Sequence, residues 1–324
     1  MARGILIYAE VMRNGYINTV FWELVTKARE LSKKLDNAPI MGVLFTQTGD
    51  FDRLKDGFNG LDKVFVFENE IFKNYSTENY AKLMVDLINE IEPEIVLIGA
   101  TNQGRDLAPR ISSMLHTGLT ADCTELDINE NAQLAATRPT FGGQLMATIL
   151  CKKYPQMATV RPNIFRSNLN DNNKKPEIVK KSIPDIINNL ELLKFIEKIE
   201  DTKNELESAE IIVAGGKGLK SKEGFKLLKE LADKLGGTVG ASRGAVDMGY
   251  APQSIQIGQT GKTVSPRIYI ACGISGAIQH TCGLTNVDYI FSINRDKNAA
   301  IFDISDYCIV GDVFDVIPKL IEKF

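Results

Sequence analysis

Cysteine, histidine and excess charge are all scarce in this sequence, and each scarcity excludes a class of protein. The cysteines are Cys123, Cys151, Cys272, Cys282 and Cys308; they are widely spaced, form no C-x-x-C pair and have only two histidines beside them. Neither a disulfide framework nor a metal site is therefore predicted. Lys plus Arg (38) nearly balance Asp plus Glu (41). That balance gives no indication of a surface for nucleic acid or an anionic membrane.

Long hydrophobic runs are also missing. No apolar stretch approaches the ~20 residues that span a bilayer, and the opening Met-Ala-Arg-Gly-Ile-Leu-Ile-Tyr enters a strand-like segment at once. We expect a reduced, cytoplasmic protein with no integral membrane segment. At 324 residues and 44% hydrophobic content, the chain is long enough for two domains with cores of their own.

The first half, residues 1–165, predicts an α/β domain with a parallel sheet. Short β-rich runs alternate with helix-like segments from Gly4–Ala9 as far as 104–115. From 119 to 162 the segments become β-branched, which predicts either an extension of the sheet or a small antiparallel appendage. Residues 166–208 are polar and densely charged, and we interpret them as a linker.

Residues 209–324 predict a second domain, doubly wound and nucleotide-binding. Helix 221–235 is well marked, because Ser221 is a suitable N-cap, an apolar stripe follows at helical spacing, and Gly236-Gly237 ends it. The other predicted elements are strands Glu210–Gly216, Thr238–Ser242, Arg267–Gly273, Tyr289–Asn294 and Ile301–Val310, and helices 275–283 and 313–323.

Two glycine-rich turns follow strands of this second domain. Ala214–Ser221 has the spacing G-x-G-x-x-S, so it is either a pyrophosphate-binding turn without the third glycine of the dinucleotide motif or a tight structural turn. Gly273–His280 is the stronger candidate, since small residues there allow a ligand to approach closely. His280 lies about one helical turn in, where it either faces the ligand or is a satisfied core residue.

A third segment, Gly258–Thr263, looks like a phosphate-binding P-loop but has the wrong spacing, because Gln256 stands where that motif needs glycine. It remains a candidate for addressing a flat polar ring through its amides and the Thr260 hydroxyl. After the second strand no carboxylate occurs until Asp247, which disfavours ordinary NAD binding. The Ser242-Arg243 pair leaves an alternative open, namely an NADP-dependent oxidoreductase that uses Arg243 for the 2′-phosphate.

No paired catalytic carboxylates, G-x-S-x-G elbow or nucleophile with its base can be found in the sequence. A cofactor domain without a general acid or base suits electron or hydride transfer. In either case the protein would supply binding, orientation and electrostatics, and the cofactor would supply the chemistry.

A series of motifs in the second domain resembles the FAD domain of electron-transfer flavoprotein α subunits, in the same order. The motifs are Gly-Gly-Lys-Gly-Leu-Lys-Ser (215–221), Val-Gly-Ala-Ser-Arg (239–243), Ile-Gly-Gln-Thr-Gly-Lys (257–262), Ile-Tyr-Ile-Ala-Cys-Gly-Ile-Ser-Gly-Ala-Ile-Gln-His (268–280) and Ser-Ile-Asn-Arg-Asp (292–296). The length, the linker and the start of the first domain are also similar to that family. The resemblance implies FAD as cofactor, a β subunit as heterodimeric partner and a flavin dehydrogenase, such as an acyl-CoA dehydrogenase, as redox partner.

The resemblance also implies the site residues. Thr260 resembles the hydroxyl that hydrogen-bonds flavin N5, and Arg243 and His280 resemble groups that stabilise negative charge on the reduced ring. Lys217 stands where arginine is common, which changes the geometry of that contact. The implied FAD contacts are Lys217, Ser242, Arg243, Ile257, Gly258, Gln259, Thr260, Ser275, Gly276, Ala277, Ile278, Gln279, His280, Asn294 and Asp312.

Segments of the first domain look like the α subunits of anaerobes, some of which belong to electron-bifurcating systems. They are 104–110, 118–124, 137–143 and 156–162. In such a system the second flavin would lie mainly in the β subunit, and these segments would face that flavin or the partner. A loop cluster that only holds two subunits together, and a scaffold subunit without cofactor, remain the alternatives.

Overall fold

The computed structural model describes residues 4–140, 145–167, 174–184, 206 and 209–324. The chain divides into two compact units, Met1–Phe195 and Ile196–Phe324. Each unit has its own parallel sheet with packed side chains on both faces. The predicted α/β class is confirmed.

A seven-stranded parallel sheet forms the centre of the first unit. The strands of this unit are β1 (Ile5–Ala9), β2 (Ile40–Thr46), β3 (Lys63–Glu68), β4 (Ile95–Gly99), β5 (Leu119–Cys123), β6 (Glu125–Ile128), β7 (Leu134–Thr140), β8 (Leu145–Leu150), β9 (Gln156–Val160) and β10 (Glu177–Lys181). The order in the large sheet is β10-β3-β2-β1-β4-β9-β5, while β6, β7 and β8 form a separate antiparallel sheet. Both alternatives for residues 119–162 therefore occur, because β5 and β9 extend the large sheet and β6–β8 form the appendage.

Helices cover both faces of this sheet. They are α1 (Val20–Lys34), the short α2 (Phe51–Leu54), α3 (Thr77–Ile91) and α4 (Asn102–Met114). Side chains of β1 alternate between the faces, so Ile5 and Ile7 pack with α1, and Leu6 and Tyr8 pack with α3 and α4. This alternation gives the sheet a buried core on each side.

The predicted linker, residues 166–208, lies largely outside the described residues. Within it, Glu177–Lys181 forms β10, which pairs in parallel with β3 at the edge of the first sheet. These five residues were wrongly interpreted as linker. The reason is that an edge strand exposes most of its side chains, and Lys180 and Lys181 form ion pairs with Glu68 and Glu90, so the strand lacks an apolar pattern.

The second unit contains a six-stranded parallel sheet. Its strands are β11 (Ile211–Gly215), β12 (Thr238–Ser242), β13 (Gln256–Ile257), β14 (Ile268–Cys272), β15 (Tyr289–Asn294) and β16 (Tyr307–Val310), and its helices are α5 (Lys222–Lys234), α6 (Arg243–Asp247), α7 (Ile278–Thr281) and α8 (Val313–Lys323). The strand order is β13-β12-β11-β14-β15-β16, so the winding direction reverses between β11 and β14. Open α/β sheets bind ligands outside the carboxyl ends of the strands at such a reversal.

Helix α5 follows the sequence-based prediction closely. The Ser221 hydroxyl accepts a hydrogen bond from the Gly224 N–H, and the backbone turns out of the helix at Gly236 with φ of 66°. Its apolar stripe packs into the core of the second unit. Capping and hydrophobic periodicity together fix where this helix begins and which face is buried.

Two predicted elements of the second unit are wrong in extent. The helix predicted over 275–283 is only Ile278–Thr281, because Gly273 and Gly276 adopt positive φ and Ala277 is extended. The strand predicted over Ile301–Val310 begins at Tyr307, since Ala300–Ile304 forms a 3₁₀ turn. The Ile301 N–H, which donates to the Ser275 carbonyl, fastens that turn to the glycine-rich segment.

Candidate functional site

A cleft of about 490 Å³ lies at the carboxyl edge of the second sheet, a volume typical of small-molecule sites. It is lined by Lys217, Ser242, Arg243, Gly244, Asp247, Gln256, Ile257, Gly258, Gln259, Thr260, Gly273, Ile274, Ser275, Ala277, Gln279 and His280. All three glycine-rich segments meet here. Of the predicted contacts, Gly276, Ile278, Asn294 and Asp312 do not line the cleft.

The three segments approach one another so closely that glycine is required at the contacts. A Cβ atom on Gly216 would lie 2.1 Å from the Gly273 carbonyl oxygen, and one on Gly258 would lie 2.4 Å from the Gln279 carbonyl oxygen. Gly258 also has φ of 133°, which other residues rarely adopt. The shape of the cleft therefore depends on backbone packed directly against backbone.

The first glycine turn has little free hydrogen-bonding capacity. The Gly216 N–H donates to the Cys272 carbonyl over 2.9 Å, the Gly218 N–H donates to Gly273 over 3.1 Å, and the next three N–H groups donate within the turn. These amides are therefore not available to a pyrophosphate, in line with the structural-turn alternative for 214–221. What this turn presents to the cleft is the side chain of Lys217.

The second glycine turn is different. Within the described part of the chain, the N–H groups from Ile274 to Gln279 donate to no protein acceptor. Successive free N–H groups in a glycine turn form a concave site for an anion or a carbonyl oxygen. This difference in free amides favours 273–280 over 214–221 as the ligand-binding turn.

The segment 256–262 is held to the second turn by the Gln259 N–H, which donates to the Gln279 carbonyl over 2.7 Å. The buried Gln256 side chain donates from Nε2 to Thr260 Oγ1 over 3.0 Å. With Oγ1 accepting that bond, the Thr260 hydroxyl proton is left to point elsewhere. Gln256 was not predicted as a site residue, although its position where a P-loop would have glycine was an available signal.

Two cations and one carboxylate set the charge of the cleft. Arg243 Nε lies 3.4 Å from Asp247 Oδ2, and both side chains are more than half exposed. Lys217 adds a second positive charge beside Gly244, whose Cβ position lies 2.8 Å from Lys217 Cε. The cleft thus has a positive excess, which favours an anionic ligand.

His280 is buried, and both ring nitrogens are bonded to protein groups. Nδ1 lies 3.1 Å from the Ile257 carbonyl oxygen, and Nε2 lies 2.8 Å from the Tyr269 hydroxyl. Burial lowers the pKa of His280 below its usual value, and the bond to Ile257 offsets only part of that effect. The imidazole is accordingly neutral at pH 7.

Asn294 and Asp312 lie outside the lining of the cleft and bond to other parts of the second unit. Asn294 Nδ2 donates to the Ile274 carbonyl over 2.8 Å, which holds the second turn in place. Asp312 caps α8 by accepting from the Phe314 N–H, and its carboxylate lies 3.4 Å from Arg295. Both contacts give these residues a structural role in this chain.

The residues of the cleft are compatible with FAD. The free amides of 274–279 and the cations Lys217 and Arg243 suit the negatively charged part of a dinucleotide, and the glycines leave space for close approach of a flat ring. Fold and cleft together define an α/β protein that binds a nucleotide cofactor at the carboxyl edge of its second sheet. Of the helices that the structure describes, none has the length and apolar character needed to cross a bilayer.

Comparison with known families identifies the chain more closely. Residues 5–186 match the electron transfer flavoprotein domain, and residues 205–285 match the electron transfer flavoprotein FAD-binding domain. The chain is 48% identical to the electron transfer flavoprotein subunit alpha of Thermoanaerobacterium thermosaccharolyticum, over 99% of this chain and 97% of that protein. It is 46% identical to the subunit of the same name from Clostridium acetobutylicum, over 99% and 96%.

A third relative, the acryloyl-CoA reductase electron transfer subunit beta of Anaerotignum propionicum, is 39% identical over 99% of this chain and 95% of its own length. The chain belongs to the family of electron-transfer flavoprotein α subunits. It binds FAD and functions in electron transfer. The alternative of an NADP-dependent oxidoreductase is disfavoured by the match to an FAD-binding domain.

Proposed function

We propose that the cleft of the second unit holds the FAD and that its residues act by binding, orientation and charge. The observation that carries the proposal is the run of free N–H groups from Ile274 to Gln279, next to Lys217 and Arg243, at the reversal point of the sheet. The bound FAD supplies the redox chemistry. The chain supplies donors, cations and a shaped backbone.

Different residues take different parts in this proposal. Ser275 and the amides around it bind the cofactor, and Thr260, oriented by Gln256, offers a hydroxyl proton to an acceptor on the ring. Arg243 supplies positive charge that stabilises the reduced, more negative cofactor. Its partner Asp247 is exposed, so the ion pair gives way readily when an anion arrives.

The proposed partner in the heterodimer is an electron-transfer flavoprotein β subunit. Strand β8 supports this, because it is an edge strand with Leu145, Met146, Ile149 and Leu150 all at least 40% exposed. An exposed apolar edge of this kind is typical of a surface that is covered in an assembly. We place the β subunit on this antiparallel sheet of the first unit.

Three of the segments that look like α subunits of anaerobes come together near this sheet. Asp122 accepts hydrogen bonds from Arg105 and from Arg161, and its N–H donates to Thr159. The cluster supports either a subunit contact or a position opposite a second flavin in the β subunit. The last residues of the remaining segment, 137–143, lie outside the described residues from 141 onward.

The proposed redox partner is a flavin dehydrogenase of the acyl-CoA type, and the proposed location is the cytoplasm. The first is supported by the relative named as an acryloyl-CoA reductase electron transfer subunit, and the second by five cysteines that form no disulfide. The test is to mix the FAD-loaded heterodimer with an acyl-CoA dehydrogenase and its acyl-CoA, and to follow the flavin absorbance. Bleaching that requires all three components supports the proposal; no bleaching with any acyl-CoA dehydrogenase contradicts it.

A further inference from the structure

Tyr269 is a fully buried tyrosine of β14 whose hydroxyl lies 2.8 Å from His280 Nε2. It does not line the cleft, but His280 does. A hydroxyl that is buried in the protein core costs folding free energy unless it forms a hydrogen bond. Its pairing with the one imidazole of the cleft gives it a role beyond packing.

The hydrogen-bond partners determine which tautomer His280 adopts. The Ile257 carbonyl oxygen can only accept, so Nδ1 must carry a proton and donate to it. In the neutral ring Nε2 then has a lone pair, and the Tyr269 hydroxyl donates to that lone pair. The tautomer is thus set by one fixed acceptor and one hydroxyl.

The same two partners also suit the protonated ring. In the imidazolium both nitrogens donate, the Ile257 carbonyl still accepts from Nδ1, and the Tyr269 oxygen can rotate its proton away and accept from Nε2. A hydroxyl allows this exchange of roles, whereas a carbonyl or an amide N–H would not.

The charged and titratable groups around His280 do not hold a proton on it before the cofactor is reduced. Cys272, in the same strand as Tyr269, is a neutral thiol because burial raises its pKa to about 12. Lys217 and Arg243 in the cleft are positive, and the carboxylate of Asp247 is paired with Arg243. Among the described residues that line the cleft, the Asp247 carboxylate is thus the one negative group and it is already paired, so the proposal assigns the added negative charge to the reduced cofactor.

We propose that Tyr269 is a positioning residue for His280. The Tyr269 hydroxyl donates to His280 Nε2 while the imidazole is neutral, and it accepts from Nε2 when that atom takes up a proton on reduction of the cofactor. The electron comes from the redox partner and the proton comes from solvent, so charge and atoms balance. This inference rests on the proposed FAD site. Tyr269 touches no ligand itself and acts through His280.

The test uses the ¹⁵N-histidine-labelled heterodimer with its FAD, and compares wild type with Tyr269→Phe. The matched control is Tyr289→Phe, which removes a half-exposed hydroxyl from the neighbouring strand. The chain has only two histidines, and a His280→Gln sample identifies the His280 ring signals among those of the complex. FAD potentials are measured across pH 5–9 on the same proteins.

In oxidised wild type we expect a proton on Nδ1 of His280 and none on Nε2. In the reduced protein we expect both nitrogens to stay protonated up to a higher pH than in the oxidised protein. Phenylalanine cannot accept a hydrogen bond from Nε2. In Tyr269→Phe, the pH at which Nε2 of the reduced protein loses its proton should therefore fall by about one unit, and the pH range over which the FAD potential changes should shift down by the same amount. Tyr289→Phe should match wild type.

Two results would overturn the proposal. One is a wild-type oxidised ring with its proton on Nε2, which needs no variant and can be measured with or without bound FAD. The other is a Tyr269→Phe protein whose ring signals and potentials follow those of wild type across the pH range. A purified heterodimer without FAD would instead contradict the proposed site, and the tautomer measurement would still decide the role of Tyr269.

Discussion

At the residue scale, Glu23 ties helix α1 to the chain that leaves β9. Its Oε1 accepts from the Asn163 N–H over 3.0 Å, and its Oε2 accepts from the N–H groups of Ile164 and Phe165. Burial outweighs these bonds and raises the pKa of Glu23 to about 7. A carboxyl group that is hard to ionise when folded makes stability depend on pH.

Since the pKa of Glu23 is higher in the folded chain than its ordinary value of 4.5, its contribution to stability is fully present below pH 4.5 and is lost as pH rises through 7. We expect the unfolding free energy of wild type, relative to Glu23→Gln, to fall by up to about 3 kcal/mol between pH 4.5 and 8. Urea unfolding at several pH values measures this. Exposed Glu130→Gln is the control, and a wild-type-to-Gln difference that does not change with pH contradicts the assignment.

Arg243 is the residue to which we assign the largest electrostatic effect on the cofactor. Arg243→Ala should leave FAD bound, because the free amides of 274–279 remain, but should lower its reduction potential by the equivalent of about 1 kcal/mol or more. A spectroelectrochemical titration measures the change. Arg267→Ala, which removes an exposed arginine just before β14, should have no effect; equal shifts in both variants would show that Arg243 has no special position.

At the element scale, the sequence predicted α5 and most of the central strands well, but not the edge strand β10, the start of β16 or the backbone of the glycine-rich segments. Apolar periodicity and the Ser221 cap act locally, so they can be recognised without the fold. The length of α7 depends on positive φ at Gly276, and the 3₁₀ turn at Ala300–Ile304 depends on a bond to Ser275 far away in sequence. Such tertiary bonds decide where these elements begin.

The contact between the first and second glycine turns can be tested by adding a single methyl group. Gly216→Ala would place its Cβ 2.1 Å from the Gly273 carbonyl oxygen, so the turns must separate. We expect a loss of about 1–3 kcal/mol in unfolding free energy together with weaker FAD retention. Gly57→Ala, in the first unit, places its methyl group in ordinary contact with Trp22, with the nearest atom at 3.5 Å, and should retain both properties.

If Gly216→Ala retains wild-type stability and FAD content, the direct packing of the two turns does not shape the cleft. Thermal unfolding measures the stability of the two variants, and the absorbance of the flavin released on denaturation measures their FAD content. Both measurements can be made on a single purified sample of each variant.

At the scale of the whole molecule, the exposed apolar side chains of β8 predict how the α subunit meets its partner. Ile149→Lys, at a position that is 40% exposed, should leave the chain folded and weaken association with the β subunit by at least tenfold. Met114→Lys, at an equally exposed apolar position at the end of α4, is the control. Affinity measured by titration calorimetry should separate the two; unchanged affinity in Ile149→Lys would move the interface elsewhere.

Much of the candidate site was also predictable, because the motifs that carry it are contiguous. Ser242, Arg243 and the 257–260 and 275–280 segments were all predicted from the sequence, and most of their residues line the cleft. Gln256 and Asp247 were missed, since their roles arise from a side-chain bond and an ion pair that only the fold brings together. The pairing of Tyr269 with His280 is of the same kind.

The most direct test of the account is the cofactor content of the heterodimer. The chain is co-purified with its β subunit, the visible spectrum is recorded, and the cofactor released by denaturation is identified and quantified. We predict FAD at about one equivalent per α chain, lost when the free amides are disrupted by Ser275→Pro; about two equivalents per heterodimer would in addition support the bifurcating arrangement. NADP, or no nucleotide at all, would contradict the central claim that this cleft holds FAD.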